Sequence, residues 1–186
     1  MIDINKTKSQ ILDLLVSVNR PGMDDTLDWL KSTDFFEAPA SSIWHLNIEG
    51  GLAYHSLSVY RTLDILCKTF SVPLSNDTKI ITGLLHDVCK IDIYKKSDKV
   101  ILDEGNLFEY KRDDTYPIGH GEKSVILLLS HGLALTPNEI SMIRWHMSMY
   151  DPSYKRDSNN IKKHFPMSKM LYFADDLSTT YLEDDP

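Results

Sequence analysis

The sequence predicts an all-α protein, a helical bundle interrupted by one small β-hairpin. Apolar residues recur at helical spacing along most of the 186 residues, and this period is the main sequence signal of amphipathic helices. The period fails between Ile91 and Pro117, where two short apolar runs flank a polar turn. The length and the apolar fraction of 42% predict a single domain, residues 1–186, that buries a core of its own.

The N-terminal part of the chain predicts two helices and an ordered connection. An apolar stripe over residues 6–18 predicts the first helix, which ends before Pro21. The second helix begins at Asp24 and Asp25, because acidic side chains in a first turn interact favourably with the helix dipole. Residues 35–42 contain a proline and two serines that break the period, so they predict an ordered connection.

Two helices follow in the middle of the chain. The first is predicted over residues 52 to about 70, and the second begins after a cap at Ser75 or Asn76. The second runs to His86-Asp87 and carries Gly83 on the same face as the aspartate. The missing side chain leaves room for a bulky occupant, and both a metal centre and a closely packed neighbouring helix are compatible with the sequence.

The second half of the chain begins with the predicted hairpin, near residues 99–111. Its apolar runs, Val100-Ile101-Leu102 and Leu107-Phe108, flank a polar turn over residues 103–106. Residues 122–131 then predict a helix that Gly132 closes.

The C-terminal part predicts two further helices separated by a loop. Thr136 and Glu139 have the spacing of a capping box, with Pro137 at the first helical position, so a helix begins there and runs to about residue 147. Residues 150–165 are polar and predict a loop, whereas residues 167–181 predict the last helix.

Composition narrows the function classes. A net charge of −7 argues against a broad electrostatic grip on long nucleic acid, although it does not exclude a small phosphorylated substrate. The longest apolar run, residues 125–129, is too short to span a membrane, and residues 1–10 are too polar for a signal peptide. We therefore expect a cytoplasmic protein in which Cys67 and Cys89 are reduced thiols.

Histidine and aspartate residues at helix ends predict a metal centre. The chain has seven histidines, and imidazole and carboxylate groups suit several divalent metals. Adjacent residues such as His86 and Asp87 can ligate one ion only where a helix ends or bends, because neighbours on a regular helix point about 100° apart. A helical bundle can direct donors from several helices at one central point. The candidate ligands are His55, His86, Asp87, His120, His146 and Asp175.

These residues divide between two positions. One metal would bind to His55, His86, Asp87 and Asp175, and a second to His120 and His146, with Asp87 bridging the two.

The order His, His-Asp, His, His, Asp resembles the HD superfamily of metal-dependent phosphohydrolases, over about residues 35–178. His120 and His146 are typical of the branch that binds two metals. One departure is Val88-Cys89, which stands where the family usually has isoleucine and glycine. The segments that carry the resemblance are Gly50-Gly51-Leu52-Ala53-Tyr54-His55, Leu84-Leu85-His86-Asp87-Val88-Cys89-Lys90, Gly119-His120-Gly121-Glu122, Arg144-Trp145-His146 and Ala174-Asp175.

Within the family, the chain is most similar to small stand-alone HD hydrolases of bacteria and phages. Residues 38–45 also resemble the HD domain of bacterial 3′-to-5′ exoribonucleases, but their nucleic-acid-binding module has no counterpart in this sequence. The resemblance implies an HD-domain bundle on which the helices of residues 1–34 pack. Small substrates are therefore expected rather than long nucleic acid.

The resemblance also implies the activity and its cofactors. The expected enzyme is a phosphohydrolase (EC 3.1 class) in which metal-activated water cleaves a phosphoester or phosphoanhydride bond of a nucleotide or similar small substrate. One or two divalent ions are implied. Manganese or iron is favoured, and nickel, cobalt, zinc and magnesium are compatible. The resemblance implies no membrane partner and leaves a homo-oligomer open.

The candidates for contacts with the substrate are Lys90, His45 and Arg144. Asp87 and Lys90 are the predicted catalytic residues, and Lys90 would also neutralise a phosphate oxygen, unless it is only a solvated lysine at a helix end. His45 would line the entrance. Arg144 is included as a substrate-binding candidate, although a regular helix points it away from His146.

The other histidines and a lysine group complete the candidates. His131 and His164 are expected to face solvent. The lysines at positions 95, 96 and 99 could form a basic rim for a nucleotide, but a charge run is usually a solvated face.

Two other functions fit the same residues. A di-iron oxygenase of the superfamily uses the same ligand set with dioxygen. A non-catalytic nucleotide-binding regulatory module is the other alternative, which the complete ligand set disfavours. Among hydrolase substrates, the sequence does not discriminate between nucleotides, dinucleoside polyphosphates, cyclic nucleotides and short oligonucleotides.

Overall fold

The computed structural model describes residues 2–43, 45–103 and 106–183 of the chain. Within these ranges the protein is an all-α bundle with a small antiparallel two-stranded sheet, which confirms the predicted fold class. The helices are α1 Ile4–Val16, α2 Met23–Ser32, α3 Gly51–Thr69, α4 Asn76–Leu85, α5 His120–Ser130, α6 Pro137–Arg144, α7 Tyr154–His164 and α8 Ser168–Leu177, and the strands are β1 Tyr94–Asp103 and β2 Asn106–Arg112.

Helix α3 lies at the centre of the bundle. One buried apolar cluster joins it to α1, α2, α4 and α5. A second cluster, which includes Val59 and Leu63 of α3, joins it to α6 and α8 through Met142 and Leu171. Because α3 contributes to both clusters, a side chain on its inner face meets residues from both halves of the chain.

Gly83 allows α4 to pack directly against α3. A Cβ atom at this position would lie 2.6 Å from the Cα atom of Tyr60. The bulky occupant beside Gly83 is therefore the neighbouring helix, not a metal centre. This close approach sets the position of His86 and Asp87, at the end of α4, relative to α3.

Replacement of Gly83 by alanine is expected to destabilise the protein. Overpacking typically costs about 1–3 kcal/mol, whereas glycine-to-alanine replacement in a helix interior gains at most about 1 kcal/mol. The clash with the backbone of Tyr60 therefore outweighs the gain in helix propensity. Urea unfolding of the metal-free protein measures the effect, and a higher midpoint in the variant would contradict it.

The hairpin is longer than the sequence predicted. Its register pairs Tyr94 with Arg112 and Ile101 with Phe108, with an irregularity between Lys96 and Ile101. The turn residues 104 and 105 lie outside the described part of the chain. The residues of β1 that follow Tyr94, positions 95–99, are all polar or charged, so no apolar run signalled the beginning of this strand.

The segment predicted as a loop over residues 150–165 contains α7, so that prediction was wrong. The helix buries only Ile161, and it therefore has no apolar stripe to signal it. Its charges follow the helix dipole instead, with Asp157 in the first turn and basic residues in the last.

The boundaries of the other C-terminal helices differ less from the prediction. Helix α6 begins at the predicted capping box, in which Glu139 accepts a hydrogen bond from the Thr136 amide at 2.7 Å. It ends at Arg144, short of residue 147. Helix α8 is continued by a π-helical turn, Ser178–Leu182. In the described part of the chain, none of the helices combines the length and apolar character needed to cross a bilayer.

Candidate metal centre

The six predicted ligands meet in the interior of the bundle. His55 lies in the second turn of α3, and Asp175 lies in α8. The Nε2 atom of His55 is 3.3 Å from Oδ1 of Asp175 and 3.5 Å from Oδ2 of Asp87. The contact between α3 and α8 therefore joins residues separated by most of the sequence.

The other ligands lie where helices begin or end. Helix α4 ends at Leu85, so His86 and Asp87 fall where the backbone leaves the helix. His120 is the first residue of α5, and His146 follows the end of α6. As the sequence indicated, the end of α4 allows two adjacent side chains to approach the same point.

Asp87 lies between the two predicted groups of histidines. Its Oδ1 atom is 2.7 Å from Nε2 of His120 and 3.4 Å from Nε2 of His146. Its Oδ2 atom is 3.5 Å from Nε2 of both His55 and His86. Each carboxylate oxygen thus faces one group, which is the arrangement that a bridging carboxylate requires.

The Nε2 atoms of two predicted ligands, His86 and His146, lack a hydrogen-bond partner in the described part of the chain. The Nδ1 atoms of His86 and His146 donate to the carbonyl oxygens of Gly83 and Ile143, at 3.0 and 2.7 Å. Their buried Nε2 atoms lack a hydrogen-bond partner among the residues that the structure describes.

These nitrogens and the Asp87 carboxylate fit a cation. In a neutral imidazole whose Nδ1 is protonated, the Nε2 atom carries a lone pair. Burial lowers the pKa of His86 to about 4, so its ring is neutral near pH 7. A lone pair and a carboxylate oxygen repel each other at these distances unless a cation lies between them, so the donor set fits a divalent metal.

The remaining charges compensate one another. Burial lowers the pKa of His120, but interactions with Cys89 and Asp87 outweigh it and raise the pKa to about 10. Burial raises the pKa of Asp87, but the charge of Lys90, 2.7 Å away, and of the histidines holds it well below its usual value. Asp87 is therefore a carboxylate at neutral pH and can act as a ligand.

Glu183 is a residue of the site that the sequence analysis missed. The Nδ1 atom of His55 donates to its two carboxylate oxygens at 2.9 and 3.1 Å, and the glutamate side chain is fully buried. Burial lowers the pKa of His55, but the charge of Glu183 and hydrogen bonds to Asp175, Asp87 and Glu183 raise it well above its usual value. This hydrogen bond directs Nε2 of His55 at the other donors, as outer carboxylates do for metal-binding histidines.

Packing at the C-terminal end of the chain positions Glu183. The hydroxyl groups of Thr62 in α3 and Ser178 in the π-helical turn are 2.9 Å apart and hydrogen-bonded. Glu183 follows this turn within an acidic run that has no helical pattern, so no local signal distinguishes it from a solvated residue.

Removing the Glu183 side chain is expected to weaken metal binding. Loss of an outer partner of a metal-binding histidine typically lowers affinity about 10–100-fold. We expect this for Glu183→Ala and a smaller loss for Glu183→Gln, whose amide oxygen can still accept a hydrogen bond from Nδ1 of His55. Chelator competition measures the affinity, with Glu37→Ala as the exposed control. Unchanged affinity in Glu183→Ala would contradict the positioning role.

Five of the six predicted ligands, all except His86, line a cavity of about 510 Å³. Lys90 lines this cavity, as do His45 and three tyrosines, Tyr94, Tyr150 and Tyr172. His45 lies at the side of the cavity, with its Nε2 atom 3.7 Å from a Glu183 oxygen. The predicted substrate contacts of Lys90 and His45 are thus compatible with their positions.

Arg144 is directed away from this cavity. Its guanidinium pairs with Glu122 and, at 2.6 Å, with Asp151, and it stacks 3.8 Å from the centre of the Trp145 ring. These contacts hold Arg144, the last residue of α6, away from the cavity, so the structure does not support it as a substrate contact.

The remaining candidates lie away from the donors. His164 is exposed, whereas His131 is half-buried and stacks on Trp29 with ring centres 4.1 Å apart, so the expectation that it faces solvent was wrong. Lys95 and Lys96 are exposed on β1, and the side chain of Lys99 lies outside the described part of the structure.

Comparison with known proteins gives one informative relative. No family model matches the chain, and no solved structure matches it. A dihydroneopterin 2′,3′-cyclic phosphate phosphodiesterase from Methanocaldococcus jannaschii is 33% identical over 113 residues, which cover 53% of this chain and 43% of the relative. The match therefore spans less than half the length of the relative. Over about half its length the chain is similar to a phosphodiesterase, and its buried histidine and aspartate cluster fits a metal site.

Proposed function

We propose that the protein is a metal-dependent phosphohydrolase that cleaves a phosphoester bond of a small substrate, with a nucleotide or related cyclic phosphate as the main candidate. The observation that carries this proposal is the pair of unpartnered nitrogens on His86 and His146, which face the two oxygens of Asp87. The similarity to a phosphodiesterase supports the reaction class.

The proposed ligands form two groups around Asp87. His55, His86 and Asp175 would bind one cation on the Oδ2 side, and His120 and His146 would bind a second on the Oδ1 side, with Asp87 shared. Divalent cations held there would supply Lewis acidity, which lowers the pKa of water and polarises a phosphoryl oxygen.

Lys90 is the residue best placed to bind the substrate phosphate. Burial lowers its pKa, but the Asp87 carboxylate 2.7 Å away raises it above its usual value, so the ammonium group stays charged. Its side chain is 12% exposed and lines the cavity. An ammonium group beside the metal ligands would neutralise a phosphate oxygen as negative charge develops on it.

The cavity favours a small substrate with a planar ring. Its volume of about 510 Å³ lies within the range of roughly 300–1,000 Å³ of small-molecule sites. Tyr94, Tyr150 and Tyr172 line it, and aromatic side chains suit stacking against a heterocycle. Size and lining therefore support a nucleotide-sized substrate over a long nucleic acid.

Metal analysis and a substrate panel test this proposal. Protein prepared without oxygen is analysed for metals and then assayed with manganese, iron, cobalt, nickel, zinc and magnesium. The panel contains dihydroneopterin 2′,3′-cyclic phosphate, 2′,3′- and 3′,5′-cyclic nucleotides, nucleoside mono- and triphosphates, dinucleoside polyphosphates and short oligonucleotides. We expect metal-dependent turnover of at least one phosphoester.

Two outcomes would contradict the proposal. Substrate-dependent oxygen consumption with ferrous iron, without hydrolysis, would favour an oxygenase. Tight nucleotide binding without turnover under any metal would favour a regulatory module.

A further inference from the structure

Cys89 lies beside the Oδ1 side of Asp87, where the sequence assigned no role to it. It belongs to the short 3₁₀ turn Val88–Lys90, which directly follows His86-Asp87. Its side chain is 3% exposed. Its sulfur atom is 3.5 Å from Nδ1 and 3.6 Å from Nε2 of His120.

The position of this sulfur is fixed by the packing of the turn against α5. The amide of Cys89 donates to the hydroxyl of Ser124 at 3.1 Å, and Ser124 is fully buried. Ser124 lies one helical turn after His120, on the same face of α5. The turn that carries Asp87 and Cys89 is thus held against the end of the helix that supplies His120.

Three donor atoms converge on this side of the carboxylate, and a fourth faces the same carboxylate oxygen. Single donor atoms of Asp87, Cys89 and His120 all lie within 4.8 Å of one another. The unpartnered, fully buried Nε2 of His146 lies 3.4 Å from Oδ1 of Asp87, and its ring centre is 5.2 Å from that of His120. Thiolate sulfur, imidazole nitrogen and carboxylate oxygen are all donor types that bind zinc in proteins.

We infer that Cys89 is a sulfur ligand of the cation on the Oδ1 side of Asp87, an assignment that rests on the proposed metal centre and goes beyond its six ligands. Cysteine binds metals as the thiolate, so binding would release the thiol proton to solvent. The HD motif that this segment resembles usually has glycine at the position of Cys89, and glycine has no side-chain donor. The extra ligand is therefore a property of this chain.

A sulfur ligand changes which metals this position prefers. Thiolates select softer ions such as zinc, whereas oxygen ligands suit magnesium and manganese. The Oδ2 side has only nitrogen and oxygen donors in His55, His86, Asp87 and Asp175. The two positions are therefore chemically unequal, with zinc, iron or cobalt favoured on the Oδ1 side.

Cobalt loading tests the inference, because a thiolate bound to cobalt gives a charge-transfer band in the near ultraviolet. Metal-free protein is loaded with cobalt in the absence of oxygen, and its spectrum and cobalt content are measured. We expect the band in the wild-type protein and in Cys67→Ser, and its loss in Cys89→Ser. Cys67 is the matched control, since it is also buried and reduced but packs in the second apolar cluster.

A second measurement does not depend on the folding of the variant. In the zinc-loaded wild-type protein, X-ray absorption is expected to show a sulfur neighbour at about 2.3 Å from zinc. Cobalt binding without the band, persistence of the band in Cys89→Ser, or zinc without a sulfur neighbour would each overturn the inference while leaving the proposed function intact. If the wild-type protein bound no metal at all, both would be overturned.

Discussion

Replacement of Asp87 by alanine is expected to abolish metal binding and phosphohydrolase activity while leaving the helices intact. The carboxylate of Asp87 faces four imidazoles and the ammonium group of Lys90, so its removal takes away the group that these side chains share. Loss of an outer partner alone typically lowers metal affinity about 10–100-fold, and removal of the shared ligand is expected to exceed this. Elemental analysis, turnover and circular dichroism measure the three properties.

Two further variants separate the loss of a ligand from a loss of stability. Asp87→Ala leaves the nearly buried ammonium group of Lys90 without its partner, and breaking a buried ion pair can cost about 3–5 kcal/mol. Asp87→Asn keeps the shape and is the gentler test. Asp64→Ala is the control, because Asp64 also pairs with lysines, Lys68 and Lys79, but lies outside the donor clusters of the described residues. Full metal content in Asp87→Ala would rule out the ligand assignment.

Replacement of His146 by alanine is expected to remove one of two metal ions and to leave the other. The Nε2 atom of His146 faces Oδ1 of Asp87, whereas His55 and His86 face Oδ2, so the two sides of the carboxylate lose their donors independently. Elemental analysis after dialysis is expected to give two ions per chain in the wild-type protein and one in the variant. Activity should fall sharply, since both ions would act on the same phosphoryl group.

The exposed His164 on α7 provides the control for His146→Ala. If the wild-type protein, His146→Ala and His164→Ala each contained one ion per chain, the site would be shown to be mononuclear. Loss of all metal in His146→Ala would show that the two positions do not bind independently.

Several features of the site could be predicted because their signals are local. Histidine and aspartate at the end of an apolar helix pattern indicated where two neighbouring side chains could converge. The capping box at Thr136 indicated the start of α6, the helix that His146 follows. Helix periodicity also indicated that Arg144 would point away from His146, and its contacts with Glu122 and Asp151 agree with this.

Other features of the fold and the site are not indicated by any local sequence pattern. Helix α7 has a single buried residue, Ile161, and therefore lacks the apolar stripe on which the prediction of helices depends. Glu183 lies in an acidic run that resembles a solvated end of the chain, although its carboxylate is buried against His55. The position of Cys89 beside His120 depends on how a turn packs on α5, a contact between segments that are distant in sequence.

The sequence by itself determined the helical class, the ends of the central helices and the residue types available to a metal. These properties follow from the spacing of apolar residues and from caps within a few positions. Only the tertiary structure decided which oxygen of Asp87 faces which histidines, that the space beside Gly83 is filled by α3, and that Glu183 lies against His55 and Cys89 beside His120. Those outcomes depend on how distant helices pack, and packing is a property of the whole core that no local pattern contains.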